Sequence, residues 1–113
     1  MNKQANTQRG EVSLKLAGEG YKLIPSYENL AKLEDGSGPS ILDLATRLQK
    51  RAITIDELAK IISCTAEPDI EREAAGRALV DQGIVQIIEP VSKLLANALM
   101  GGREGNVGAA KEK

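Results

Sequence analysis

The topology of this chain is set at residues 10–25 by the sequence GEVSLKLAGEGYKLIP. Polar and apolar residues alternate over 11–16, and this period of two predicts a half-buried strand. A second extended run at 21–24 follows the turn segment 18–20 and stops at Pro25. We therefore predict a two-stranded hairpin. Because an isolated hairpin is only marginally stable in water, its apolar face needs a cover.

Helices are predicted to supply that cover, and a capping residue marks the start of three of them. Ser26, Ser40 and Thr54 each precede a segment in which apolar residues recur at the spacing of one helix face. Glu57 stands three positions after Thr54 and completes a capping box. A fourth helix is predicted to open at Pro68, since proline is common in the first turn of a helix.

The last apolar segment, residues 84–99, has two interpretations because Pro90 lies inside it. It forms either one helix that Pro90 kinks, or an extended run over 84–88 followed by a helix that starts at Pro90. In both cases the sequence predicts an α+β fold, mainly α, in which an N-terminal two-stranded β-hairpin packs on four to five short helices.

The length of 113 residues corresponds to one domain. We expect a flexible N-terminus at 1–9, where apolar periodicity is lacking, and a flexible C-terminal tail at 103–113. Between them we expect a single compact domain at 10–102, with the hairpin at 10–25 and the helices at 26–100.

The residue types that are missing exclude most catalytic and metal sites. The sequence has no histidine and a single cysteine, Cys64. It therefore lacks the parts of a Ser-His-Asp or Cys-His pair, of a multi-cysteine metal site and of an intrachain disulfide. We expect no enzymatic activity, no catalytic residues, no cofactor and no bound metal.

Charge and hydropathy argue against two classes of partner. Fifteen basic and sixteen acidic residues give a formal net charge of -1, whereas nucleic-acid-binding proteins usually carry a basic excess. No segment approaches the roughly 20 apolar residues that span a bilayer, and residues 1–10 lack the apolar stretch of a signal peptide. We therefore expect no nucleic acid and no membrane as partners, and a cytoplasmic location.

One nucleic-acid alternative stays open. Residues 54–63 resemble the first helix of a helix-turn-helix motif, and residues 68–80 could follow as its recognition helix. The first turn of that second helix would carry Asp69, Glu71 and Glu73, which would repel DNA phosphates. A helix-turn-helix regulator is therefore the second alternative function.

The segment 84–99 is also the candidate binding site for a protein partner. On a helical wheel its apolar residues cover more than a third of the circumference, wider than an ordinary surface helix needs. Either two neighbouring elements cover this face, or part of it is exposed and binds another protein. The candidate partner-binding residues are Val85, Ile87, Val91 and Leu94.

The order of these segments resembles a known protein family. The resemblance rests on GEVSL at 10–14, GYKLIPSYENL at 20–30, SILDLA at 40–45, and a closing helix at 90–100 followed by Gly101 and Gly102. Together they are similar to the small gene-transfer-agent and phage tail proteins that are labelled tail tube protein and grouped with tail assembly chaperones. The resemblance covers roughly residues 10–102, and the glycine-rich linker at 35–39 departs from the family pattern.

The resemblance implies a non-enzymatic role in building a phage-type tail, in the cytoplasm of a bacterial host. The main expectation is a tail assembly chaperone that binds helices of the tape-measure protein, tail tube subunits, or both. The alternative is a structural component of the tail tube in a phage or gene transfer agent. The sequence leaves a homo-oligomer open.

Overall fold

The computed structural model describes residues 10–34 and 38–101. In chain order, these residues form β1 (Val12–Leu16), β2 (Glu19–Leu23), α1 (Tyr27–Glu34), α2 (Ile41–Gln49), α3 (Ile55–Thr65), β3 (Ala66–Glu67), α4 (Arg72–Gln82) and α5 (Ile84–Leu99). The predicted fold class, α+β and mainly α with an N-terminal hairpin, is confirmed. The expected flexible segments at 1–9 and 103–113 lie outside the described residues, as does the linker core at 35–37.

The hairpin is present, but its turn lies one residue earlier than the sequence predicted. Strand residues Leu16 and Glu19 pair directly, which leaves Ala17 and Gly18 as a two-residue turn rather than 18–20. Both turn residues have positive φ, 52° and 82°, as a type I′ turn requires. Alanine is not favoured at positive φ, so the sequence did not indicate Ala17 as a turn residue. Gly20, which the sequence placed in the turn, instead pairs with Lys15 in the sheet.

A third strand, which the sequence analysis missed, extends the sheet. In the described residues the strand order is β1-β2-β3, and β3 pairs antiparallel with β2 through Leu23 with Ala66 and Lys22 with Glu67. The Lys22 Nζ atom lies 3.8 Å from Glu67 Oε1 across this pair. The prediction that a helix opens at Pro68 is wrong: the Glu67–Pro68 peptide bond is cis, and α4 begins only at Arg72. Ala66 and Glu67 are extended because they pair with β2, and the helix therefore starts after this strand rather than at Pro68.

The three predicted helix caps are confirmed. The Ser26 hydroxyl accepts a hydrogen bond from the backbone N–H of Asn29 at 3.2 Å, and Ser40 accepts one from the third residue of α2 at 3.0 Å. At the start of α3, Thr54 accepts from the N–H of Glu57 at 3.0 Å, and the Glu57 carboxylate accepts from the N–H of Thr54 at 3.1 Å. These bonds satisfy N–H groups that have no partner within the helix.

Helix α5 runs without interruption from Ile84 through Pro90, so the extended alternative for 84–88 is wrong. Proline has no N–H to donate to the carbonyl of Gln86, the residue four positions earlier. Gln86 is exposed to solvent, where water can satisfy that carbonyl. Burial of the α5 apolar face outweighs the missing hydrogen bond.

The hydrophobic core lies between the sheet and the helices. Helices α2, α3 and α4 and strand β1 all pack against α5. Aliphatic side chains fill the core, and those with no exposed surface are Leu16, Leu23, Ile61, Ile62, Ala75, Leu79, Ile87, Val91, Leu94 and Leu95. The buried Asn97 side chain donates from Nδ2 to the carbonyl of Gly10 at 3.1 Å, which ties the end of α5 to the start of the hairpin.

Gln82, the last residue of α4, holds one end of β1. Its Nε2 donates to the carbonyl of Lys15 at 2.7 Å, and its Oε1 accepts from the N–H of Ala17 at 3.2 Å. The primary amide thus makes the donor and acceptor contacts that a neighbouring strand would make. This joins the C-terminal end of α4 to the hairpin turn.

Candidate functional site

Three of the four predicted partner-binding residues are buried. Ile87, Val91 and Leu94 each have 0% exposed surface, so the expectation that they form an exposed strip is wrong. Elements pack on both sides of the wide apolar face of α5, which is the first of the two interpretations considered above. Val85 differs, because 80% of its surface is exposed. Of the predicted site, only Val85 is available to a partner in this conformation.

Other large apolar side chains are exposed where the sequence analysis did not place a site. Ile55, the first residue of α3, is 43% exposed, and Val80 of α4 is 57% exposed. Position on a helical wheel does not reveal this, because the neighbouring helix determines which edge of a stripe is covered. Among the described residues, the other exposed large apolar side chains are Tyr27, Leu42, Leu99 and Met100.

Ile55 and Val80 line an open groove of about 870 Å³ between α3 and α4. At its base Gly76 of α4 faces Ala59 of α3: a Cβ atom added to Gly76 would lie 3.6 Å from the Ala59 Cβ. Small residues on both helices therefore leave space that larger side chains would occupy. The described residues that line the groove are Ile55, Asp56, Ala59, Arg72, Glu73, Gly76, Arg77, Val80 and Asp81.

Ion pairs fix most of the charged side chains at the groove. Arg72 binds Asp56 through two hydrogen bonds, of which the one from Nε to Oδ1 is 2.9 Å long. This bonding raises the pKa of the Arg72 guanidinium above its ordinary value, so the arginine stays charged. Arg77 pairs with Glu73 one turn away on α4. Within 10–34 and 38–101, the Asp81 carboxylate makes no ion pair or hydrogen bond.

A second concave surface runs along the outer side of α5. One hollow of about 530 Å³ is lined by Arg51, Val85 and Ile88, together with Glu89 and Ser92. A neighbouring hollow of about 520 Å³ between α2 and α5 shares Glu89 and Ser92 and reaches Leu99. Val85 therefore lies at one end of a shallow, partly apolar surface.

The geometry suits the binding of apolar side chains better than chemistry. The groove offers aliphatic walls and carboxylates that are largely paired with arginine. In the part of the chain that the structure describes, no group of three or more cysteine, aspartate or glutamate side chains is placed to hold a metal ion. No helix among the same residues is long and apolar enough to cross a membrane.

Comparison with known proteins identifies the family. A family model described as phage tail tube protein, GTA-gp10, matches residues 9–101. The chain belongs to this phage tail tube family. The resemblance drawn from the sequence over 10–102 is thereby confirmed. No curated protein and no solved structure matches the chain.

The family places this tail protein among phage and gene-transfer-agent components. The helix-turn-helix alternative also conflicts with the geometry. In a helix-turn-helix motif, a turn of three or four residues joins the two helices. In this protein six residues, including β3, separate α3 from α4.

Proposed function

We propose that this protein is a non-enzymatic structural component of the tail of a phage or gene transfer agent, where it binds other tail proteins. The observation that carries the proposal is the family match over 9–101, which includes every described helix and strand. The lack of histidine and the single cysteine support a role without catalysis. A cytoplasmic site of assembly in the bacterial host is part of the proposal.

Apolar surface supports a role in binding proteins. Ile55 and Val80 stay accessible to solvent on the walls of the α3–α4 groove. Exposed aliphatic residues rimmed by charged ones are typical of protein-binding surfaces. The paired Arg72 and Asp56 at this rim would hold the groove in shape before a partner arrives.

The experiment is genetic deletion followed by analysis of purified particles. A structural component should be found in intact particles in many copies by quantitative mass spectrometry, and its deletion should leave particles without complete tails. Val80→Lys should impair tail formation, since it places a charge in the groove. Thr46→Lys is the matched control, because it replaces an exposed β-branched residue on α2 and should have no effect.

The second candidate function is the tail assembly chaperone expected from the sequence, and the size of the sheet favours it. The three strands described have five, five and two residues, which is little sheet from which to build the wall of a tube. A chaperone would be needed for tail formation yet be absent from finished particles, and it would co-purify with the tape-measure protein. Absence from finished particles would contradict the structural role. Many copies per particle would contradict the chaperone role.

A further inference from the structure

One end of the domain presents three exposed β-branched side chains. Ile55 begins α3, Val80 lies near the end of α4, and Val85 lies near the start of α5; we call these three residues the apolar end. Only Gly83 separates α4 from α5, so Val80 and Val85 are held near one another by the chain itself. In addition, Ile55 and Val80 line the same groove.

Two charged residues of opposite sign adjoin the apolar end. Arg51 lines the same hollow as Val85, and Asp81 lines the same groove as Val80. Glu89 also lines the hollow, but within the described residues it forms no ion pair with Arg51. Arg51 precedes Ile55 by four positions, and Asp81 precedes Val85 by four, which limits each separation to at most about 14 Å along the backbone. Each charge therefore lies close to a residue of the apolar end.

Neither charge is used within the described part of this molecule. The side chains of Arg51 and Asp81 form no hydrogen bond or ion pair there. The groove's other charged residues behave differently, because Asp56 and Glu73 are paired with arginines. An unmatched cation and an unmatched anion thus flank one exposed aliphatic patch.

We propose that the apolar end binds the apolar end of a second copy of this chain. In a two-fold contact, the Arg51 side chain of each copy faces Asp81 of the other, so one kind of ion pair forms twice. Ile55, Val80 and Val85 of both copies are then removed from water, which favours association. The surface is its own complement in charge, because it carries both members of the pair.

Sedimentation equilibrium of the purified protein, from micromolar to millimolar concentration, tests this proposal. Wild type should show a monomer–dimer equilibrium. Arg51→Asp and Asp81→Arg should each raise the dimer dissociation constant at least about tenfold, since each brings like charges together twice. An equimolar mixture of the two variants should restore association, because unlike charges then face each other at both contacts. Aspartate also tolerates the positive φ of 58° at residue 51.

Lys32→Asp is the matched control, because it makes the same charge change at an exposed position on α1 and should leave the dissociation constant unchanged. Far-ultraviolet circular dichroism checks that every variant is folded. A wild type that stays monomeric at millimolar concentration would overturn the proposal. So would variants that associate normally, or a mixture that fails to restore dimers. Association is measured on the isolated protein, so its outcome is separate from any role in a tail.

Discussion

Replacing Leu94 with alanine tests whether α5 is a core helix or a docking helix. Leu94 has no exposed surface and lies in the centre of the helix that α2, α3, α4 and β1 surround. Leu94→Ala removes three carbon groups, worth about 2.4 kcal/mol in transfer free energy at about 0.8 kcal/mol each. The cavity left behind adds to this, and buried leucine-to-alanine changes cost about 2–5 kcal/mol in total. Because domains of this kind are stable by about 5–15 kcal/mol, the loss is large.

Urea unfolding followed by circular dichroism measures this loss, since the sequence has no tryptophan for fluorescence. Leu42→Ala is the matched control: the chemical change is identical, but Leu42 is 63% exposed on α2. We expect its free energy of unfolding to change by no more than about 0.5 kcal/mol. If Leu94→Ala unfolded at the same urea concentration as wild type, Leu94 would not be buried, and our account of α5 would be refuted.

Three smaller predictions concern local structure, and thermal unfolding measures each of them. Gly76→Ala should stabilise the protein by up to about 1 kcal/mol through helix propensity, because its new Cβ meets Ala59 at an ordinary contact distance; a lower melting temperature would mean that the helices pack more closely than described. Ala17→Asn should stabilise by up to about 1 kcal/mol, because asparagine favours the positive φ of this turn, and an unchanged or lower melting temperature would contradict the assigned turn. Gln82→Ala should lower the free energy of unfolding by about 1 kcal/mol, because it removes the hydrogen bonds to Lys15 and Ala17. Gln82→Glu keeps the acceptor but loses the donor, so its melting temperature should also be lower than that of wild type. Wild-type stability in both variants would show that the contact is unimportant.

Features that depend on neighbouring residues could be predicted from the sequence. The caps at Ser26, Ser40 and Thr54 join groups only three positions apart, so the local pattern contains all the information they need. The alternation over 11–16 identified β1 in the same way. The family resemblance also rested on short local segments.

Features that depend on distant parts of the chain could not be predicted. Strand β3 has two residues and no alternation of its own, and it exists because Ala66 meets Leu23 of β2. The error at Pro68 follows from the same long-range pairing. For the binding site, a wheel of α5 shows which residues are apolar but not how many neighbours surround the helix, so Leu94 and Val85 looked alike.

The bond between Gln82 and the hairpin turn has a consequence for how the protein opens. Backbone amides in exposed two-residue turns usually exchange with deuterium quickly, through local fluctuations. The amide of Ala17 is instead held by a side chain from the far end of α4, more than sixty positions along the chain. Its exchange therefore reports whether α4 is in place, and one signal follows the attachment of a helix to the sheet.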